Sequence, residues 1–429
     1  MTIDRREFLN RGGALLSGAG LLALAGCTSS CPDTGRPTPE ETVSVGAAPS
    51  GPFDSLPEGR WPGTNGDAAN TGYVNGSAPS TVPELKWRAT LPVPIEDEVP
   101  LTASAPVVGN GQVYVADRER VYALALLDGA INWESPIISP TQTDAYGAER
   151  PKTAAPRIGP DGTVFVGTAG GVVGLDPSDG AVLWEKTDMT DVAGPAVTEN
   201  GLLLQGETSV RGYDRDGTEQ FSRDLDRGTE LVQPARGTDV AVLATEGGVT
   251  ALDPRSGDRQ YHHEVRIETA PVLTGDTCVL GTDEGLLALS ANDGEQKWTY
   301  SRGDYQSLRG PVVTEETIYA VEQPPEAGAA TFALDRTEDG VQARWCSYVG
   351  SGVVTAADDE RAFGLLEMDT GPEAVQSIAE FGADRGEVGW AITGGSRSDR
   401  WLNPPAVLEG ALVVTNRRGR VFAFGGAGT

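Results

Sequence analysis

The stretch Ala288-Leu289-Ser290-Ala291-Asn292-Asp293-Gly294-Glu295-Gln296-Lys297-Trp298 decides the fold. An alternating apolar segment enters an Asp-Gly turn, and the segment leaving the turn ends on an aromatic residue ten positions after the small residue that opens the unit. Versions of this stretch recur from Ala123 to Trp390. Such a period is the mark of a repeat architecture, in which each unit is one supersecondary element that stacks on its neighbours.

Working outward, each unit shows the same steps. A residue followed by proline opens it: Ala105-Pro106, Ala155-Pro156, Gly194-Pro195, Gln233-Pro234, Ala270-Pro271, Gly310-Pro311 and Pro404-Pro405. Proline at the first residue of a strand forfeits no ladder hydrogen bond. A tight turn then leads to a second strand, as at Asn110-Gly111, Asp161-Gly162 and Asn200-Gly201. Asn-Gly and Asp-Gly supply the positive φ angles that two-residue hairpins need. A third strand of mixed apolar residues follows (Val121 to Leu124, Val249 to Leu252, Leu286 to Leu289, Val421 to Phe424), a pattern expected of strands packed on both faces. The third turn is Asp128-Gly129, Asp179-Gly180, Asp216-Gly217, Ser256-Gly257, Asp293-Gly294 or Asp339-Gly340, and the fourth strand ends on Trp133, Trp184, Phe221, Tyr261, Trp298 or Trp345. Trp390 closes a degenerate unit over 351–390, and Trp87 on the orphan strand 85–90 makes the eighth aromatic.

The count fixes the architecture. Seven units own a fourth strand, whereas the last stops after three at about residue 424, so the strand at 85–90 can complete it. The expected fold is all-β: an eight-bladed β-propeller of four-stranded antiparallel blades, closed by an N-terminal strand so that radial closure protects the sheet edges. The eight aromatics are read as packing devices between blades, each ring bringing roughly 150–250 Å² of contact area.

The pattern Ala-x-Asp-x-x-Thr-Gly-x-x-x-Trp, met in variant form at Ala251 to Tyr261, Gly174 to Trp184 and Ala288 to Trp298, resembles the tryptophan-docking repeat of the pyrroloquinoline-quinone (PQQ)-type, quinoprotein-like eight-bladed propellers. The segment from Trp61 to Gly72 likewise resembles that family's entry segment. The resemblance covers about 61–424. It implies the propeller fold and two kinds of activity, dehydrogenases and non-catalytic scaffolds. In the enzymes PQQ lies under a disulfide of adjacent cysteines and over a calcium held by Glu, Asn and Asp, with an Asp as base. This sequence has no Cys-Cys pair.

The rest of the chain bounds the function. Its 429 residues contain 56 Gly, 29 Pro and 6% aromatics, as expected of many short strands and turns. The formal charge is −29, and only Lys86, Lys152, Lys186 and Lys297 are lysines. So negative a field excludes nucleic acid as a partner, since phosphate binding needs clustered Arg and Lys. An acidic surface with Arg in place of Lys resembles proteins of salt-loving archaea.

Residues 1–27 read as a targeting segment. Arg5 and Arg6 precede an uncharged run from Gly12 to Gly26 that ends in Leu24-Ala25-Gly26-Cys27. The run is shorter than the roughly 20 residues a membrane span needs and fits a signal-peptide apolar region. The arginine pair resembles a twin-arginine export signal, and Leu-Ala-Gly-Cys resembles a lipobox in which Cys27 is lipidated. The chain is therefore expected to be exported and lipid-anchored through Cys27 to the outer face of the cytoplasmic membrane. Residues 28–60, polar and rich in Pro, Ser and Thr, are expected to be a disordered tether, leaving 61–429 as the propeller.

No site residue for catalysis or metal stands out. The aspartates of turns such as Asp176-Pro177-Ser178-Asp179-Gly180 are read as conformational. Cys31 is read as an incidental thiol, and Cys278 and Cys346 as buried free thiols on different blades. His262-His263 are adjacent on a strand and point to opposite faces. The expected function is a non-catalytic binding and assembly scaffold with protein partners at the cell envelope and no cofactor. In layout it resembles propeller lipoproteins of the bacterial outer-membrane assembly machine. The alternative is a PQQ-dependent oxidoreductase with PQQ and calcium. Function is expected where units differ: the 134–155 connection, the 322–331 insertion and the 351–403 region.

Overall fold

The computed structural model describes residues 38–426 apart from short internal stretches, the longer of them 93–102, 144–148, 227–232, 302–307, 323–328 and 395–401. Arg5, Arg6, Cys27 and Cys31 lie outside the described residues. Eight antiparallel sheets form an eight-bladed propeller. Blade 1 spans 107–136, blade 2 157–186, blade 3 193–224, blade 4 235–264, blade 5 272–300, blade 6 308–350 and blade 7 353–393. Blade 8 takes three strands from 406–425, and its fourth is Glu84–Thr90, paired antiparallel with Arg420–Gly425 through Leu85↔Phe424 and Trp87↔Ala423. The expected N-terminal closure is present.

Within a blade the order follows from the residues. Val113, Tyr114 and Val115 on the second strand of blade 1 and Val121 to Leu124 on the third are all fully buried, because each central strand is covered by a neighbouring blade on both faces. The first turn carries Asn110 at φ 54° and Gly111 at φ 71°, the left-handed pair that matches hairpin twist. At the third turn the Asp side chain accepts the amide two residues on, as Asp128 from Ala130 (3.0 Å), Asp179 from Ala181 (2.9 Å) and Asp293 from Glu295 (3.0 Å). These carboxylates are engaged by their own turns.

The aromatics dock in a relay from blade to blade. A Cβ added to Gly129 would stand 2.4 Å from the Trp87 ring, and one on Gly180, Gly217, Gly257, Gly294 or Gly386 would meet Trp133, Trp184, Phe221, Tyr261 or Trp345 at 2.4–2.7 Å. The fourth-strand ring of one blade therefore lies flat on the third-turn glycine of the next. At three of the indoles the N–H finds that turn's backbone: Trp87 Nε1 donates to Leu126 O (2.9 Å), Trp133 Nε1 to Pro177 O (2.9 Å) and Trp184 Nε1 to Arg215 O (3.1 Å). On the other side several rings tilt against an aromatic of their own blade, as Tyr114 with Trp133 at 5.8 Å and Phe363 with Trp390 at 6.0 Å between centroids. Trp390 faces blade 8, whose third turn is interrupted by the chain break between its strands, and its buried Nε1 has no partner.

Two expectations are corrected. The proposed tether is ordered from residue 38: Glu41–Ser44 adds a fifth strand, parallel, to the outer edge of blade 7, with Glu41↔Trp390 and Ser44↔Thr393 in register. The chain then crosses blade 8 (Ser50 N to Leu85 O, 2.8 Å; Gly51 N to Lys86 O, 3.0 Å) and reaches blade 1 (Phe53 N to Leu127 O, 2.9 Å), burying Val45 and Phe53. Its polar composition hid this because the order comes from an edge strand supplied elsewhere. Cys278 is free and fully buried on a second strand, but Cys346 is disulfide-bonded. Cys346 sits only partly buried on the outer strand of blade 6, where a sulfur can be reached.

Candidate binding surfaces at the axis and between blades 6 and 7

The first and third turns of every blade lie on one face of the propeller, and the segment 61–78 passes there from blade to blade along the inner strands. Trp61 exchanges backbone bonds with Val108 of blade 1 (2.8 Å each way), and Ile158 of blade 2 donates to Pro62 O (2.9 Å). Arg236 of blade 4 donates to Ala68 O (2.8 Å), Leu273 of blade 5 to Ala69 O (2.9 Å) and Val313 of blade 6 to Thr71 O (2.8 Å). Ala357 of blade 7 donates to Gly72 O (2.9 Å), and Gly410 of blade 8 to Ser77 O (2.9 Å). Inner strands leave their axial N–H groups without a ladder partner, and a buried backbone donor must find an acceptor. The segment supplies those acceptors to seven blades. Asp67 holds its bend by accepting from Ala69 N, Thr71 N and Thr71 Oγ1 at 2.8–3.0 Å, and Asn70, buried at φ 63°, donates Nδ2 to Pro271 O (3.0 Å) and Gln233 O (3.3 Å).

Two arginines are buried beside this segment. Arg157, 6% exposed, donates Nη1 to Thr64 Oγ1 (2.6 Å) and Pro156 O (3.2 Å) and Nη2 to Gln233 Oε1. Arg236, 4% exposed, donates Nη2 to Pro254 O. Burial pulls both guanidiniums down to about 10, still charged near neutrality; for Arg236 the neighbouring Arg255 adds to the effect. Among the described residues neither has a carboxylate partner, and Arg157 Nε, Gln233 Nε2 and Asn70 Oδ1 have no hydrogen-bond partner.

On the same face a cleft of about 930 Å³ opens between blades 6 and 7, lined by Glu316, Asp335, Arg344, Asp359, Glu360, Arg361, Glu380, Gly382, Asp384, Arg385 and Glu387. Its buried member is Glu380. The third-strand residue paired with the docking aromatic is Ala123, Gly174, Gly212, Ala251, Ala288 and Ala333 in blades 1 to 6, and in blade 7 that place, ten residues before Trp390, is taken by Glu380, with Phe381 at the position of Leu124. Gly389 makes room for it: a Cβ there would stand 2.4 Å from Glu380 Oε2. Burial pushes the Glu380 carboxyl up to about 7, opposed by Arg361 and by amide donation from Gly389 and Trp390 and reinforced by Asp358. Arg361 sits 3.7 Å from both Glu380 and Asp358 and 3.0 Å from Glu360. Asp358 in turn accepts the amide of Ala78 (3.0 Å), and Tyr73 donates to Asp359 (3.1 Å), so the cleft and the axial segment share residues.

The other sequence-based candidates are dispersed. Trp87, Trp133, Trp184, Phe221, Tyr261, Trp298, Trp345 and Trp390 form the docking relay rather than a site. His262 meets Thr250 (3.0 Å) on the outer strand of blade 4 beside His263. Among the described residues no three His, Cys, Asp or Glu are grouped to hold a metal ion, and the chain lacks adjacent cysteines. Sequence reasoning missed Arg157, Arg236 and Glu380. The replacement of the repeat's small residue by Glu380, ten residues before Trp390, was the one legible signal among them.

A family model described as outer membrane protein assembly factor BamB matches residues 147–338. No curated protein matches the chain. BamB from Moraxella catarrhalis is similar at a TM-score of 0.54 and 13% identity, covering 79% of this chain and 97% of that one. The quinohemoprotein alcohol dehydrogenase ADHIIG from Pseudomonas putida HK5 is similar at a TM-score of 0.61 and 13% identity, covering 86% of this chain and 81% of that one. Sqt1 of Saccharomyces cerevisiae is similar at a TM-score of 0.57 and 10% identity, covering 80% of this chain and 98% of that one. At such identities the likeness is one of fold, and fold does not imply function. The chain is an all-β, eight-bladed propeller with a BamB-like, PQQ-type repeat region across its central blades.

Proposed function

We propose that the protein is an exported propeller, anchored by lipid on Cys27 to the outer face of the cytoplasmic membrane, that acts as a non-catalytic binding and assembly scaffold for envelope proteins. The observation that carries this reading is the charged cleft between blades 6 and 7, on the turn-bearing face where the segment 61–78 takes up the inner-strand amides of seven blades. That cleft offers seven carboxyls and three guanidiniums, a mixed surface suited to a polar protein segment. Electrostatic complementarity of this kind gives specificity and fast association more than raw affinity. The BamB-like region supports the same reading. The quinoprotein-like alternative rests on fold likeness alone.

Cross-linking and mass spectrometry on intact membranes tests the proposal. Cross-links from Arg344 and Arg385 peptides to a small, reproducible set of envelope proteins are expected, together with lipid-precursor label that disappears in Cys27→Ser. Labelling retained in that variant sinks the anchor, and a cleft that yields no protein cross-links sinks the scaffold.

A further inference from the structure

The docking relay is incomplete between blades 5 and 6. The unit ending on Trp345 runs twelve residues from Ala333, two more than the units ending on Trp133, Trp184, Tyr261 and Trp298. In blade 6 the third strand, Ala329–Thr337, therefore continues until Thr337 pairs with Gly340, and a tight hairpin at Glu338-Asp339 stands where other blades carry a broader turn. A Cβ on Gly340 would meet the base of Trp298, Cβ at 3.3 Å and Cγ at 3.5 Å, with Cδ1 at 4.0 Å, whereas the glycines of six other turns sit on ring atoms at 2.4–2.7 Å. Trp298 Nε1 donates to no group among the described residues, in contrast to Trp87, Trp133 and Trp184. Against this part-exposed indole opens a cavity of about 470 Å³, bounded by Thr277 and Lys297 of blade 5 and by residues 336–340 of blade 6. The cations on its rim are already met: Lys297 by Asp276 (2.6 Å) and Thr277 (2.9 Å), Arg336 by the carbonyls of Thr314 (2.6 Å) and Glu315 (3.1 Å). What stays open is the indole, its face and its N–H.

We propose that this cavity receives a glycine-containing turn of a partner protein, which lies on the Trp298 ring and accepts its N–H through a backbone carbonyl. The same molecule shows the occupant's chemistry. Three of its indoles are satisfied by that contact, a glycine without a Cβ against the ring and a turn carbonyl on Nε1. A covered indole ordinarily finds a partner for its N–H, and tryptophan is enriched among the residues that anchor interfaces. The blade 6 hairpin borders both cavities of this face, Asp335 lining the charged cleft and Arg336 the Trp298 pocket. The site rests on the scaffold reading and gives the partner segment a shape: a turn seated at Trp298, with a polar flank that reaches over the hairpin into the cleft.

The test is a magnetic-resonance titration of the full chain, isotope-labelled at its tryptophan nitrogens, with a backbone-cyclised peptide that carries the chain's own docking turn, Asp176-Pro177-Ser178-Asp179-Gly180. The Trp298 indole N–H signal is identified by its absence in Trp298→Phe, phenylalanine being what blade 3 carries at that place as Phe221. This signal is expected to shift saturably while that of Trp133 stays in place. The same cycle with alanine at the glycine should leave it unmoved, since a Cβ at such turns meets the ring within 2.7 Å. No shift with the glycine cycle, an equal shift with the alanine cycle, or a shift produced only by methyl glucoside would each overturn the proposal. The titration reads the pocket alone, so its outcome is separate from that of the cross-links expected at the cleft.

Discussion

Trp87→Ala is expected to cost about 3–5 kcal/mol of stability, the range for removing a large buried aromatic. Trp87 is 5% exposed, lies on the Gly129 turn and donates Nε1 to Leu126 O. Its loss differs from that of another docking ring because Glu84–Thr90 joins blade 8 without a covalent hairpin to Arg420–Gly425. Amide exchange should therefore accelerate across 84–90 and 420–425 before the other blades open. Trp184→Ala, in a blade of continuous chain and with a less buried ring, should cost less and leave that closure protected. Uniform exchange in both variants would mean that the closing strand is not the seam of the ring.

Glu380→Gln is expected to stabilise the protein at neutral and alkaline pH, by up to about 3 kcal/mol if the full difference between a carboxyl near 4.5 unfolded and about 7 folded is expressed. The sign follows from proton counting. Between those values the folded chain holds the Glu380 proton that the unfolded chain has released, so stability falls as pH rises from about 4.5 to about 7 and then levels. Below the unfolded value the penalty is absent. Glutamine is neutral throughout and still offers an oxygen to the Gly389 and Trp390 amides, so the variant and the parent should converge in acid and diverge above pH 7. Denaturant midpoints measured from pH 4 to 8 read this directly. Parallel curves for the two proteins would show that Arg361 already neutralises the site.

The propeller was legible because its signal repeats. Residue-Pro openings, Asp-Gly third turns and a terminal aromatic recur with little drift, and even the degenerate unit ending at Trp390 falls into four strands once its neighbours are aligned. What stayed hidden depends on tertiary partners. Glu41–Ser44 has no apolar face of its own and becomes a strand only on the edge of blade 7. The axial segment looked like a polar loop, and its role lies in the inner-strand amides it satisfies. Glu380 was one acid among 62, distinguished only by standing where six other blades carry Ala or Gly opposite the docking aromatic. Its region, 351–403, is nonetheless one of those singled out as departing from the repeat. Cys346 was misread because burial was inferred from residue type, whereas its outer-strand position decides access.

The central claim is the proposal that this propeller works as a non-catalytic scaffold. The most direct measurement is titration of the full chain with PQQ and calcium, followed by absorbance and dye reduction. The account predicts no bound-cofactor spectrum and no dye reduction; a tight, stoichiometric PQQ complex would contradict it.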